Sequence, residues 1–452
     1  MNFKVKTWKA ALILLLIAAI AAGVSGCGAK KEAAADNKPV KLVFWYSVGG
    51  KVAEATKKLV ADFNASHPDI QVEAVFQGSY DEALNKLKQS ITSKSTPSVI
   101  QVYDIGTRFM IDSKAVVPAQ TWIDKEKFDM SGYEPNILAY YTVDNKLYSV
   151  PFNTSTPILY YNKTMFKEAG LDPEKPPVTF DDVAAAAQKL TVKDGSGKVT
   201  RPGLAIAIYG WFFEQLLAEQ NAAYANNGNG RDSLATGVAF QSPQGEKILT
   251  WWSDMVKNGS AANMGRKTAD TQKAFIAGQT AMTLDSTGVL GDILEGVNGK
   301  FEVGTAFMPH PADVKGGVII GGGSLWMLGG HSAAEEKAAW EFVKFMTAPK
   351  QQAYWHVQTG YFPVTKAAYD EELVKKNQEK YPQFKVAVDQ LHSTPINRFT
   401  QGALLGVFTQ ARQEIESAIE QVLSGQASPS EALKKAGDTI NGAMERYNQT
   451  VK

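Results

Sequence analysis

The chain has 452 residues, 44% of them hydrophobic, and balances 47 Lys and Arg against 46 Asp and Glu. At roughly 100–200 residues per domain, this length predicts two domains or slightly more, and the balanced charge argues against a nucleic-acid-binding protein, which normally carries a basic excess. The single cysteine excludes an internal disulfide framework and a cysteine-built zinc site, and 10% aromatic with 21% charged residues does not fit a disordered chain.

The chain begins with the pattern of a lipoprotein signal peptide. Three lysines precede a 15-residue apolar run, residues 10–24, which is shorter than the ~20 residues that a membrane-spanning helix needs. The run ends in Val24-Ser-Gly-Cys27, which resembles a bacterial lipobox. We therefore expect residues 1–26 to be a signal peptide and Cys27 to carry a lipid such as palmitate. The alternative is a small buried cysteine that follows a secretory signal.

Residues 27–39 are polar, show no apolar period and are predicted to form a flexible tether. Removing residues 1–26 would take three Lys from the 47 basic residues and leave 44 against 46 acidic ones, a net charge of −2. An acylated cysteine, a tether and a large soluble body predict an extracytoplasmic protein that is lipid-anchored to the cell membrane. No other apolar run approaches membrane-spanning length, so we do not expect a channel or a permease.

The first part of the body alternates strands with amphipathic helices. The apolar periods predict strands at 41–46, 70–76 and 98–103, and helices at 52–65 and 80–93. Repeated β-α-β units of this kind indicate an α/β fold with a mostly parallel sheet, in which ligands bind at the carboxyl ends of the strands.

A second αβ region is predicted from Pro151 onward. Capping signals and apolar periods predict helices at 180–190 after Thr179, from Pro243 after Ser242, and at 333–346, 410–423 and 428–447. Two glycine-rich segments are predicted to be irregular. They are the excursion at 219–237 and Gly321-Gly-Gly-Ser324, which is expected to interrupt two apolar stretches.

Sequence motifs for catalysis are absent. Gly49-Gly-Lys-Val52 lacks the leading Gly and the hydroxyl of a P-loop, no G-x-S-x-G occurs, and the five His form no H-x-x-x-H pair. Residues 226–232 have the composition of a calcium loop without its opening Asp and closing Glu, which predicts a turn. We therefore expect no enzymatic activity, cofactor or metal. Paired carboxylates on distant segments keep an exported hydrolase open as an alternative.

Short clusters of aromatic and small polar residues lie at predicted strand ends or turns. They are 77–80, 101–106, 151–157, 285–288, 321–324 and 359–363. With them, an ordered run of segments resembles the sugar-type family of solute-binding subunits of ABC importers, and within it the subgroup that binds sn-glycerol 3-phosphate. The matching segments are Phe44-Trp45, 101–103, 151–162, 265–267, 281–283, 319–326 and 359–369.

The resemblance implies a two-lobed periplasmic-binding-protein fold of type II, similar to maltose-binding proteins. Its lobes are joined by a hinge, close over a ligand cleft and deliver the solute to a membrane permease. Lobe one is expected to hold 40–150 plus about 290–350, and lobe two 151–289 plus 351–452. The implied partners are a small phosphorylated polyol, permease subunits, and the lipid bilayer through Cys27, without nucleic acid. The protein is expected to be a monomer.

Residue by residue, the ligand positions of the family fall on Tyr80, Asp104, Ser155, Ser286, Gly322, Tyr361 and Arg412, with Trp211 as a cleft wall. A phosphate suits a cation in fork geometry and several short donors, which Arg412, the hydroxyls and the Gly322 amide would supply. Glycerol hydroxyls suit a carboxylate acceptor and tyrosine, and the carbon face of glycerol suits tryptophan.

Each of these residues also has a structural explanation. Tyr80 could be a surface aromatic, Tyr361 and Trp211 core residues, and the two serines caps or turn residues. Gly322 could simply break a strand, and Arg412 could pair with Glu416 on a solvated helix face.

One position departs from the family pattern, because the acidic ligand is typically Glu and here is Asp104. The shorter side chain enlarges the cleft, so glycerol 3-phosphate and a bulkier glycerophosphodiester both stay open as ligands. A neutral oligosaccharide ligand is the alternative within the family.

Overall fold

The computed structural model describes residues 38–451. The predicted signal peptide, Cys27 and all of the tether before Lys38 lie outside the described residues. The strands are, in chain order, β1 (Val40–Tyr46), β2 (Ile70–Phe76), β3 (Val99–Tyr103), β4 (Val116–Val117), β5 (Thr142–Val143), β6 (Lys146–Leu147), β7 (Val150–Ser155), β8 (Pro157–Asn162), β9 (Val192–Lys193), β10 (Val199–Arg201), β11 (Leu204–Ala205), β12 (Ala261–Ala262), β13 (Met282–Ser286), β14 (Val303–Ala306) and β15 (Gly321–Leu328).

The helices include all seven that the sequence predicts, together with others for which no prediction was made. They are α1 (Gly50–Ser66), α2 (Tyr80–Ser93), α3 (Thr107–Asp112), α4 (Ala119–Glu126), α5 (Pro135–Tyr141), α6 (Lys163–Glu168), α7 (Phe180–Leu190), α8 (Gly210–Ala218), α9 (Pro243–Lys257), α10 (Thr268–Ile276), α11 (Leu290–Val297), α12 (Ala333–Met346), α13 (Pro349–Thr359), α14 (Glu372–Lys380), α15 (Gln383–Ser393), α16 (Phe408–Leu423) and α17 (Pro429–Thr450). Short 3-10 turns occupy Asp104–Gly106, Thr287–Val289 and Lys366–Asp370.

Two sheets organise the chain. The first has the order β2-β1-β3-β15-β4, with β7 also paired to β15, and the second has the order β12-β11-β13-β8-β14. Helices cover both faces of the first sheet, because α1 and α12 share one core cluster with it while α2 belongs to another. This is an α/β architecture built on two separate sheets, as a two-lobed fold requires.

The chain crosses between the sheets at sharply defined points. Strands β7 and β8 belong to different sheets and are separated only by Thr156, and the chain returns to the first sheet between β14 and β15. The residue ranges assigned above to the two lobes stay a prediction.

The prediction that the first part of the body forms a mostly parallel sheet is wrong. Strands β1, β2 and β3 pair in parallel as expected, but β15 runs antiparallel to β3, β4 and β7. In the second sheet β8 runs antiparallel to both of its neighbours. The antiparallel strands are those that enter a sheet from the other sheet, so no βα crossover fixes their direction.

Two other local predictions need correction. Gly321-Gly-Gly-Ser324 is not irregular, since it forms the first half of the continuous strand β15. Helix α8 was not predicted, because every residue from Gly210 to Ala218 is buried and the segment has no amphipathic period. The irregular excursion at 219–237 is confirmed around Asn226–Gly230, where three consecutive residues adopt left-handed backbone angles.

Candidate functional site

The eight residues predicted to contact a ligand line one cavity. It has a volume of about 120 Å³, and we call it the inner cavity; its lining is Tyr80, Tyr103, Asp104, Ser155, Tyr209, Trp211, Ser286, Gly321, Gly322, Tyr361 and Arg412. The first sheet and its loops supply Asp104, Ser155 and Gly322, whereas Ser286 comes from the second sheet. The cavity therefore lies between the two sheets, where a two-lobed fold places its cleft.

Three of these residues are placed by the carboxyl ends of strands. Asp104 follows β3 directly, Ser155 is the last residue of β7, and Ser286 is the last residue of β13. A buried strand that stops at a polar residue delivers that side chain to the edge of the sheet, which is where α/β folds bind ligands. The Ser286 Oγ accepts a hydrogen bond from the Gly288 N–H at 3.0 Å and keeps its own hydrogen for donation.

The glycines at the start of β15 make room for the cavity. Gly322 has φ of +89°, and a Cβ there would collide with the Asn153 carbonyl oxygen. A Cβ on Gly321 would enter the ring of Trp211. A larger residue at either position would therefore displace the wall of the inner cavity.

Aromatic side chains form much of the wall. The rings of Tyr80 and Tyr103 stack with centroids 5.3 Å apart, and the Asn153 Nδ2 donates to the Tyr80 hydroxyl at 2.7 Å. The Tyr80 hydroxyl also interacts with the Tyr361 side chain, so the two tyrosines and Asn153 form one polar group in the wall. Burial raises the pKa of Tyr80 and of Tyr361, so both remain neutral donors at physiological pH.

Trp211 lies in the cavity wall with 5% of its surface exposed. Among the described residues, no hydrogen-bond partner contacts its buried Nε1. The indole therefore offers a flat apolar face to whatever occupies the cavity.

Tyr361 is fixed from behind by two neighbours. The His356 Nδ1 hydrogen-bonds to the Tyr361 carbonyl at 2.7 Å, and the ring of Tyr361 stacks on Trp355. Burial lowers the pKa of His356 to about 4, so the imidazole is neutral and Nδ1 carries the donated hydrogen.

Arg412 projects from α16 into a cluster of acidic side chains. Its Nε and Nη2 donate to the two carboxylate oxygens of Glu214 at 2.7 and 2.9 Å, and Nη2 also donates to Asp104 at 3.0 Å. Nη1 donates to the Tyr209 hydroxyl at 3.3 Å. Four of the five guanidinium N–H groups are thus engaged, and the fork that was expected to face a phosphate faces Glu214 instead.

The explanation of Arg412 as a solvated partner of Glu416 is not observed. Arg412 is 5% exposed, whereas Glu416 accepts from the Gly210 N–H and pairs with Arg266. The sequence match therefore selected a buried position in the cavity lining that helix periodicity alone does not distinguish from a surface residue.

The cluster of Asp104, Arg412 and Glu214 holds one cation between two carboxyl groups. Burial raises the pKa of Asp104 and of Glu214, and Arg412 offsets part of that effect. Burial also opposes the charge on Arg412, but the two carboxylates outweigh it and keep the pKa of Arg412 well above its usual range. With both carboxyl groups ionised, the cluster carries one excess negative charge.

Sequence reasoning missed four contributors to the site: Tyr103, Tyr209, Gly321 and Glu214. Tyr103 and Gly321 directly precede predicted ligand residues, and Tyr209 stands two positions before Trp211. Glu214 had its own signal, because it is a lone acid in the otherwise uncharged segment 210–218, and a buried carboxylate requires a partner.

Within residues 38–451, no group of three or more His, Cys, Asp or Glu side chains is arranged to hold a metal ion. Among the described helices, none combines the length and apolar composition that crossing a bilayer requires.

Comparison with known proteins identifies the family of the chain. The model of a family described as bacterial extracellular solute-binding protein matches residues 58–383. The sn-glycerol-3-phosphate-binding periplasmic protein UgpB of Pectobacterium atrosepticum is 37% identical over 421 residues, which cover 91% of this chain and 93% of that protein. Its counterpart in Escherichia coli K12 is 36% identical, with 91% and 94% covered.

Solved structures share the fold. UgpB from Mycobacterium tuberculosis in complex with glycerophosphocholine has a TM-score of 0.76 at 22% identity, with 91% of this chain and 99% of that chain covered. The cyclic alpha-maltosyl-1,6-maltose binding protein from Arthrobacter globiformis has a TM-score of 0.73 at 24% identity, with 90% and 100% covered. At these identities the likeness establishes the two-lobed fold.

Proposed function

The chain belongs to the bacterial extracellular solute-binding protein family, and we propose that it is the binding subunit of an ABC importer that captures glycerol 3-phosphate or a glycerophosphodiester. The observation that carries the proposal is that all eight predicted ligand residues, from Tyr80 in α2 to Arg412 in α16, line one cavity between the sheets. The relatives named as sn-glycerol-3-phosphate-binding proteins support the same solute class.

Neutral donors form one part of the proposed site. The hydroxyls of Ser155, Ser286 and Tyr361 would each donate to a phosphate oxygen. Such charge-assisted bonds are about twice as strong as bonds between neutral groups. An anion held in this way needs no metal.

The charged cluster forms the other part of the site. Asp104 and Arg412 line the same cavity, and Tyr209 lies beside them. A glycerol hydroxyl both donates and accepts, so it would bond the Asp104 carboxylate and the remaining N–H of Arg412 together.

Anchoring follows from the N-terminal sequence. We place the lipid on Cys27, which would keep the body at the outer face of the cell membrane beside the permease. A Cys27→Ser variant should incorporate no labelled palmitate and should leave the membrane fraction. If Cys27→Ser kept the label, the lipobox interpretation would be wrong.

Calorimetric titration of the mature body tests the solute class. We expect heat with glycerol 3-phosphate or glycerophosphocholine and none with maltose. Ser286→Ala should weaken binding by about tenfold or more, since a hydrogen bond to a charged group contributes about 1.5–3 kcal/mol. Ser424→Ala is the matched control, because its hydroxyl bonds only within α16 and is exposed. Heat with maltose alone would identify a neutral-sugar binder and refute the proposal.

A further inference from the structure

A second, larger cavity adjoins the inner one. This outer cavity has a volume of about 450 Å³ and is lined by Asp81, Tyr103, Ile105, Tyr209, Arg266, Thr409, Arg412, Gln413, Glu414, Glu416 and Ser417. Tyr103, Tyr209 and Arg412 line both cavities. Small-molecule sites usually measure roughly 300–1,000 Å³, so the inner cavity of about 120 Å³ is small for a whole ligand, whereas the outer one falls in the usual range.

Acidic groups exceed basic groups around both cavities. Arg412 is neutralised by Asp104 and Glu214, and Arg266 by Glu416 and Glu420. The outer cavity adds Asp81 and Glu414 to its lining. Neither arginine is therefore a spare positive charge for an incoming anion.

We propose that the site selects phosphodiesters, which carry one negative charge, over phosphate monoesters, which carry two, and that Glu214 is the residue that sets this preference. The inference rests on the proposed function and specifies its solute. The glycerol and phosphate groups occupy the inner cavity, and the second substituent of the diester extends into the outer cavity past Tyr103 and Tyr209.

The preference follows from the balance of charge. The neutral donors Ser155, Ser286 and Tyr361 disperse one negative charge on a phosphate. A second negative charge on the phosphate would have no counter-ion, because the adjacent cluster of Asp104, Arg412 and Glu214 is itself negative. In a poorly solvated site, one negative charge that lacks a counter-ion and lies beside this cluster weakens binding by about tenfold or more.

Glu214 acts through Arg412 and does not line either cavity. It is 4% exposed and binds the guanidinium through both carboxylate oxygens. Replacing it with glutamine keeps the shape of the side chain and one acceptor while removing the charge. Arg412 and Asp104 then form a neutral pair, so the cluster no longer repels a second phosphate charge.

The test compares glycerol 3-phosphate with its methyl diester by calorimetry at pH 8. The second pKa of a phosphate monoester is about 6, so at pH 8 the monoester is doubly charged and the two ligands differ by one charge and one methyl group. We expect the wild type to bind the diester about tenfold more tightly or better. In Glu214→Gln the ratio should fall below about threefold through stronger binding of the monoester.

Glu219→Gln is the matched control, since Glu219 is a buried acid, 5% exposed, at the end of α8 and lines neither cavity, and its ratio should equal that of the wild type. Equal or tighter binding of the monoester by the wild type would overturn the inference, as would an unchanged ratio in Glu214→Gln. Binding of neither ester would refute the proposed function instead. If Glu214→Gln does not fold, Asp104→Asn provides the same comparison, because both ligands share the glycerol that Asp104 would bind.

Discussion

Replacing Arg412 with methionine tests whether the cluster of Asp104, Arg412 and Glu214 stabilises the fold as well as the site. Methionine keeps most of the length of the side chain and removes its charge. It leaves two carboxyl groups, each 4% exposed, without a counter-ion. Removing one partner of a buried ion pair typically costs about 3–5 kcal/mol. We expect the free energy of unfolding at pH 7.5 to fall by about this amount, and solute binding to be lost.

The loss of unfolding free energy in Arg412→Met should grow as the pH rises. Burial already raises the pKa of Asp104 and of Glu214, and the variant removes the opposing influence of Arg412. A carboxyl group whose folded-state pKa lies above its unfolded value contributes full stability below the unfolded pKa, which is near 4, and loses it as the pH rises through the folded pKa. The deficit of the variant should therefore be smallest near pH 4.5 and grow toward pH 8.

Urea denaturation followed by tryptophan fluorescence measures both effects. Arg266→Met is the matched control, because Arg266 also pairs with two glutamates of α16 but is 37% exposed. Its loss should stay below about 1 kcal/mol. A deficit in Arg412→Met as small as that of the control, or one that does not change between pH 4.5 and 8, would refute the argument from burial.

Three other changes have definite expected outcomes. Gly322→Ala should weaken solute binding more than tenfold by calorimetry, because its Cβ would collide with the Asn153 carbonyl and displace the cavity wall; unchanged affinity would contradict this. Glu219→Gln should raise the melting temperature at pH 8 but not at pH 4. Burial raises the pKa of Glu219 to about 8, so the stability that this side chain contributes is lost between about pH 4.5 and 8. An equal gain in melting temperature at both pH values would contradict this prediction. His356→Phe should weaken binding about tenfold through the lost bond to Tyr361, equally at pH 6.5 and 7.5 because the pKa of His356 is about 4.

The sequence predicts the elements that have one buried face. The strand Ile70–Phe76 and the helices Tyr80–Ser93 and Phe180–Leu190 have the predicted bounds, because each alternates buried and exposed positions at its own period. Helix α8 has no such alternation, since all of its faces are buried. A periodic pattern of apolar residues indicates that one face of the element contacts water, and α8 has no such face.

The candidate site, like the fold, could be predicted from the sequence only in part. The ordered motifs place Tyr80, Ser155 and Tyr361 in a common cavity because strand ends and turns have recognisable composition. The bidentate contact between Arg412 and Glu214 joins residues 198 positions apart. Neither residue carries a local signal that names its partner, so the charge balance of the site became visible only in three dimensions.

The cluster also constrains how this chain can diverge. Substitution of Arg412 first would leave two buried carboxylates without a counter-ion. Substitution of either carboxylate first would change the net charge beside the solute. A lineage that turned toward neutral sugars by single replacements would pass through an intermediate with an uncompensated buried charge, either a carboxylate or the Arg412 guanidinium, whatever the order. The three positions are expected to be inherited and exchanged together, so correlated substitution among them should mark the branches of the family at which the solute changed.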